Sequence, residues 1–176
     1  MNYCRACITR IACLFFLALG IAGCAGPDPD PGSGPSFYLS LAQAGVTVDA
    51  AAASSMVSGY RRNNGLGAVT IDSALMRLAE QQARAMAERD KVDHNVSRPF
   101  AERLKRSGYE AKAGAENIGA GYHTLAEAFS GWRDSPPHRA NMLLKGATRL
   151  GIAAVYAPNS KYKVFWSMIL AAPAGG

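Results

Sequence analysis

All four cysteines of this 176-residue chain, Cys4, Cys7, Cys13 and Cys24, lie within its first 24 residues. Nothing beyond residue 24 can be stapled by an intrachain disulfide, so whatever folds there must be held by packing alone. The material for packing is present. Hydrophobic residues make up 49% of the chain and charged residues 18%, a composition far from that of a disordered acidic chain. The length suits one domain of ordinary size after the N-terminus is set aside. No apolar run reaches the roughly 18 residues that a spanning helix needs, which excludes a polytopic membrane protein.

The cysteine-bearing segment reads as an address. Arg5 and Arg10 precede an apolar stretch from Ile11 to Ala22, and no acidic residue occurs before Asp28. This is the layout of a secretory signal, and the stretch is too short to be a membrane anchor. It ends Ile21-Ala22-Gly23-Cys24, which resembles the bacterial lipobox, where a diacylglycerol is attached to the cysteine thiol. The expected organisation is a signal peptide over 1–23, a lipidated Cys24 with a Pro/Gly tether over 24–48, and a domain over 49–172. Two or more acyl chains suffice for stable anchoring. The membrane is therefore an expected partner through the lipid on Cys24. The alternative is ordinary cleavage near Ala22 or Ala25, leaving a soluble exported protein. Ala25 is not the aspartate that typically retains lipoproteins at the inner membrane, so the outer membrane is expected where the host has one. Residues 50–176 carry 17 basic and 10 acidic residues, a net charge of +7. Such a domain suits an anionic envelope polymer or an amphiphilic lipid. No nucleic-acid motif is present, nucleic acid is not an expected partner, and a monomer is expected. The basic residues are also scattered over several predicted helices, which is the pattern of a plain solvated surface.

The domain reads as helices first and strands last. Asp49 caps a helix over 50–62, and Asn63-Asn64-Gly65 stops it. An extended segment over 68–71 leads to Asp72, which caps a second helix through residue 90. Leu75, Leu78, Ala79 and Met86 recur there at helical spacing. Asp93-His94-Asn95 breaks the pattern, and a third helix is predicted over 98–107 with Pro99 in its first turn. Residues 114–122 are a Gly-rich loop or short irregular strand. Thr124 and Glu127 form a capping box before a helix whose apolar face carries Leu125, Ala128, Phe129 and Trp132. Ser135 then caps a short helix that holds Pro136 in its first turn and runs through residue 144. Segments 150–156 and 162–170 read as a hairpin, the second apolar on both faces and so covered on both. The predicted fold class is α+β, a three-layer α-β-α sandwich around a small antiparallel sheet.

Four blocks in this order resemble the CAP superfamily of cysteine-rich secretory proteins, antigen five and pathogenesis-related proteins, in its bacterial branch. They are Tyr60-Arg-Arg-Asn-Asn-Gly-Leu66, Asp93-His94-Asn95, Gly114-Ala-Glu116-Asn117-Ile-Gly119, and Trp132-Arg-Asp-Ser135-Pro-Pro-His138-Arg-Ala-Asn141-Met-Leu143, trailed by Arg149-Leu-Gly151-Ile-Ala. The resemblance covers roughly residues 50–171 and implies the same sandwich. It also implies a central cleft that gathers His94, Glu116 and His138. A second glutamate of many animal members is replaced by Ser135.

Two imidazoles, His94 and His138, make an open divalent-cation site, with zinc the expected ion. Glu116 can orient one imidazole or take a proton from a metal-bound water. The helix dipole at the start of the helix bearing His138 favours its neutral, ligating form. Equally, the three side chains can be a hydrogen-bond network that braces the fold. A hydrolase reading assigns Glu116, His138 and Ser135 as catalytic. Against it, a capping role would occupy the serine oxygen, and no G-x-S-x-G or H-E-x-x-H motif occurs. A binding module is therefore preferred to an enzyme. His123 reads as exposed and inert, Trp132 and Trp166 as core rather than a lipid groove, and Asn117 and Asn141 as partners of backbone groups.

Overall fold

The computed structural model describes residues 34–175. The expected signal segment, Cys24 and the first part of the tether lie outside those residues. Two layers of helix enclose a four-stranded sheet. In chain order the elements are α1 (Ala50–Asn63), β1 (Thr70–Ile71), α2 (Ser73–Arg89), α3 (Phe100–Arg106), β2 (Ala111–Ala120), α4 (Leu125–Asp134), α5 (Pro136–Met142), β3 (Arg149–Tyr156) and β4 (Val164–Pro173). The strand order is β1-β3-β4-β2.

The sheet is mixed, not wholly antiparallel. β3 and β4 form the expected hairpin, but β1 pairs with β3 in parallel. The Gly-rich segment is a full strand, β2, antiparallel to β4 over nearly its whole length. Its glycines and alanines hide the alternation that larger side chains would display. At Gly114 a Cβ would lie 3.0 Å from Leu104 and 3.4 Å from Phe100, so the missing side chain is the seat of α3. Pro99 stands just before α3 as its N-cap, and α5 ends at Met142, shorter than expected.

β4 lies between β3 and β2 and is buried along nearly all of its length, which accounts for a segment apolar on both faces. Val164, Trp166, Met168 and Leu170 join the core under α1 and α4, while Ile169 and Ala171 join Leu75, Leu78, Ala79 and Ala83 of α2. Trp132 and Trp166 are buried and meet edge to face at 6.2 Å. Both indole nitrogens donate to carbonyls, of Ile118 and Tyr122 respectively. They are core residues, as expected. The capping box of Thr124 and Glu127 is present. A buried arginine, Arg61 of α1, donates to the carbonyls of Gly67, Met142, Leu144 and Ala147. It fixes the turn after α5 with a cation where the apolar pattern foretells nothing.

The domain starts earlier than residue 49. Ser36–Tyr38 form one 3-10 turn. Leu41 is 4% exposed, and Phe37, Val46 and Val48 pack on the same core. The Leu41 N–H donates to the His123 carbonyl at 2.7 Å. Residues 36–48 are a strap laid over the domain and not part of a free tether. Four apolar side chains spaced without a period give no helical or strand signal, which is why the sequence reads as linker.

Candidate functional site at the open edge of β2

β2 is an edge strand, and both helical layers supply residues that bond to it. From one layer comes the turn between α2 and α3, bearing His94, together with Arg103 of α3. From the other comes α5, with His138 in its first turn. Asn117 and Asn141 join them to the strand. The Asn141 amide donates to the Glu116 carbonyl at 3.1 Å and to Asn117 Oδ1 at 2.9 Å. The Asn117 amide donates to the His138 carbonyl at 3.0 Å. Both asparagines serve backbone groups, as expected.

Glu116 is the buried centre, its side chain only 1% exposed. A carboxylate so far from water needs paired donors. Arg103 Nη2 donates to both oxygens, at 2.8 and 2.9 Å. Ser167 Oγ donates to Oε1 at 3.3 Å, and His94 Nδ1 lies 2.9 Å from Oε2. Arg103, itself 8% exposed, was not legible in the sequence as a site residue. It is one of four cations in or beside α3, and only the fold distinguishes it. Ser167 was missed for a similar reason, as one small polar residue in an apolar strand.

The His94 ring is half exposed and spends Nδ1 on Glu116. This leaves Nε2 as its free nitrogen. Burial, and secondarily the charge of His94, push His138 below the ordinary histidine range. This favours the neutral ring, the expected direction. Burial is the leading cause, where the sequence pointed to the helix dipole. Of the sequence-derived trio, His94 touches Glu116, while His138 joins the adjacent Asn117 through its main-chain carbonyl. Among the described residues no group of three or more His, Cys, Asp or Glu side chains is arranged to hold a metal ion. Of the two imidazoles, only that of His94 is bonded to Glu116. Glu116 is engaged by protein donors and acts behind His94.

Ser135 departs from expectation. It occupies the N-cap position of α5, yet its side chain makes no capping bond. Pro136 and Pro137 take the first two helical positions, and proline at the second removes one of the two N–H groups a capping oxygen reaches. His123 is exposed, as expected, and contributes only main-chain groups: its N–H donates to Glu127 at 2.6 Å.

Comparison with known proteins bears on the family and the fold. The family model for the cysteine-rich secretory protein (CAP) family matches residues 55–170. The uncharacterized protein YkwD of Bacillus subtilis (strain 168) is 30% identical over 103 residues, which are 57% of this chain and 40% of YkwD. The chain thus spans well under half the length of that relative. Among solved structures, an extracellular protein containing a SCP domain from Bacillus anthracis superposes with a TM-score of 0.60 at 21% identity, covering 69% of this chain and 39% of that one. An outer surface protein from Borrelia burgdorferi gives 0.64 at 16% identity, covering 71% of this chain and 92% of that one. At such identities these likenesses show the fold. The family model spans most of the domain, including His94, Glu116 and His138, and the chain belongs to the cysteine-rich secretory protein (CAP) family.

Proposed function

We propose that this protein is exported, anchored to the cell envelope through a lipid on Cys24, and works by binding, with His94 and His138 holding a divalent cation. The extracellular and surface relatives and the basic, apolar N-terminal segment support the export. The observation that carries the binding reading is the state of Glu116. Both its oxygens are engaged, by Arg103, Ser167 and the ring of His94. A carboxylate in that position orients an imidazole, fixing which nitrogen faces outward, and is poorly placed to accept a substrate proton. Zinc is the ion best suited to neutral imidazoles, and it would supply an open coordination position to an incoming ligand. Two protein ligands give modest affinity, so the cation is expected to exchange.

Zinc titration by calorimetry tests this. Binding should fall by at least about tenfold in His94→Ala and in His138→Ala, each of which removes one of only two ligands. It should fall more mildly in Glu116→Gln, within the about 10–100-fold range of an outer-shell loss. Equal zinc uptake by the wild type and the double histidine variant would defeat the reading. One observation favours a second reading, a hydrolase of envelope peptides or polymers: the Ser135 hydroxyl is not tied up in a helix cap. Turnover abolished by Ser135→Ala and by His138→Ala would establish it. A cleft that merely braces the fold predicts instead that the histidine variants lose melting temperature and no zinc.

A further inference from the structure

Basic residues that are scattered along the sequence are gathered at one place by the fold. A cavity of about 460 Å³ opens between α2 and α3, on the helical layer that also supplies Arg103. Four arginines line it: Arg77 from α2, Arg98 from the turn before α3, and Arg103 and Arg106 from α3, with Gln81 and Ser97 between them. Two carboxylates bear on this set. Glu102 is shared by Arg98 at 3.0 Å and Arg106 at 3.5 Å, and Glu116 is held by Arg103. The nearby Glu80 is paired with Arg84, and Arg77 has no acidic partner among the described residues. The cavity therefore keeps a positive excess. Arg103 adds a second observation. Its Nε and Nη2 are hydrogen-bonded, but Nη1 is buried with no partner. A buried guanidinium donor without an acceptor is costly, and the residue that carries it lines this cavity.

We propose that this cavity binds a phosphate ester. Guanidinium groups present forked N–H donors that match phosphate oxygens two at a time, and arginines converging from several directions suit a group with three or more acceptor oxygens. The hydroxyl of Ser97 and the amide of Gln81 add neutral donors. The volume leaves room for the alcohol moiety of the ester as well as its phosphate. The same chemistry is offered by a soluble phosphate ester and by a phospholipid headgroup. The proposal does not rest on the cation site, and its variants leave His94, His138, Glu116 and the shared Arg103 unchanged.

The test uses the full chain with Cys24→Ala, so that no acyl chain contributes. Two probes are applied: glycerol phosphate by calorimetry, and vesicles of phosphatidylglycerol against phosphatidylcholine by co-sedimentation. Variants are Arg77→Glu with Arg106→Glu, both exposed positions, and Glu102→Gln, which frees Arg98 and Arg106. Lys145→Glu with Lys161→Glu, also exposed, is the control of equal charge change. Binding of glycerol phosphate should weaken by about a hundredfold in the double arginine variant, since hydrogen bonds to charged groups are each worth about tenfold or more. It should strengthen in Glu102→Gln and be nearly unchanged in the lysine control. Selective loss with vesicles alone would assign the headgroup as the source. Equal loss in the arginine and lysine variants, or no binding of either probe by the parent chain, would overturn the proposal.

Discussion

Glu116 and Arg103 show how much of this site rests on one buried ion pair. With both side chains removed from water, each makes the other tolerable, and loss of either leaves an uncompensated charge. Arg103→Met should cost about 3–5 kcal/mol in a urea titration. The double replacement Arg103→Met with Glu116→Leu should recover most of that loss and still abolish the contact to His94. A double variant as unstable as the single one would mean that the arginine stabilises α3 by packing instead. The glutamate was legible in the sequence because it sits inside a distinctive block, Gly114-Ala-Glu116-Asn117. The arginine was not, because among Arg98, Arg103, Lys105 and Arg106 nothing local says which one turns inward. Arg61 repeats the lesson: a residue beside Arg62 in a polar run caps four carbonyls in the interior. Charged residues at the ends of helices read as solvent-facing, and only tertiary structure reveals the ones that carry buried backbone groups.

At the scale of elements, apolar periodicity and caps foretold α1, α2 and α4 to within a residue or two, because each has an acid or threonine at its N-cap and a clear buried stripe. β2 was legible only as an irregular segment, since its small residues carry no alternation. Its Gly114 is explained by α3, just as Gly151 in β3 is explained by α2. A Cβ at Gly151 would stand 2.2 Å from the main-chain carbon of Leu75. Backbone lies against backbone there, with no flexible side chain to give way. Gly151→Ala should therefore force α2 off the sheet and lower the melting temperature by several degrees in a thermal scan, as overpacking of about 1–3 kcal/mol does. Gly34→Ala, where nothing lies within 4 Å, should leave it unchanged. An unaltered melting temperature for Gly151→Ala would show that this packing of helix on strand is looser than the geometry describes.

For the molecule as a whole, the strap over 36–48 joins chain entry to the core. Ser36 Oγ donates to Asp49 Oδ2 at 2.6 Å, while Asp49 Oδ1 accepts from the Ala52 N–H at the start of α1. These bonds, the serine first, hold the Asp49 carboxyl below its ordinary pKa of 3.8. A lowered folded value means that the unfolded chain binds the proton more tightly. The contribution is thus full above about pH 3.8 and is lost as pH falls through the lowered value. Because the carboxylate is exposed, the effect is small and salt-sensitive. Thermal scans should show Asp49→Ala less stable than the parent at pH 6, with the gap narrowing steadily in acid. A gap independent of pH would assign the cap to geometry alone. The three-layer architecture itself was legible from element order. The parallel strand and the strap were not, since a two-residue strand and an aperiodic segment acquire meaning only when the rest of the chain is already in place.

Arg103 stands in two walls at once. It lines the cavity between α2 and α3, and its Nη2 grips the carboxylate bonded to His94. Anything that draws this cation toward the cavity slackens its hold on the acid behind the imidazole. If an anion binds in the cavity and a cation at His94, thermodynamic reciprocity requires that any factor one imposes on the other's affinity be returned. A single planar cation would let an anion arriving in the cavity be felt at His94, with no helix having to move.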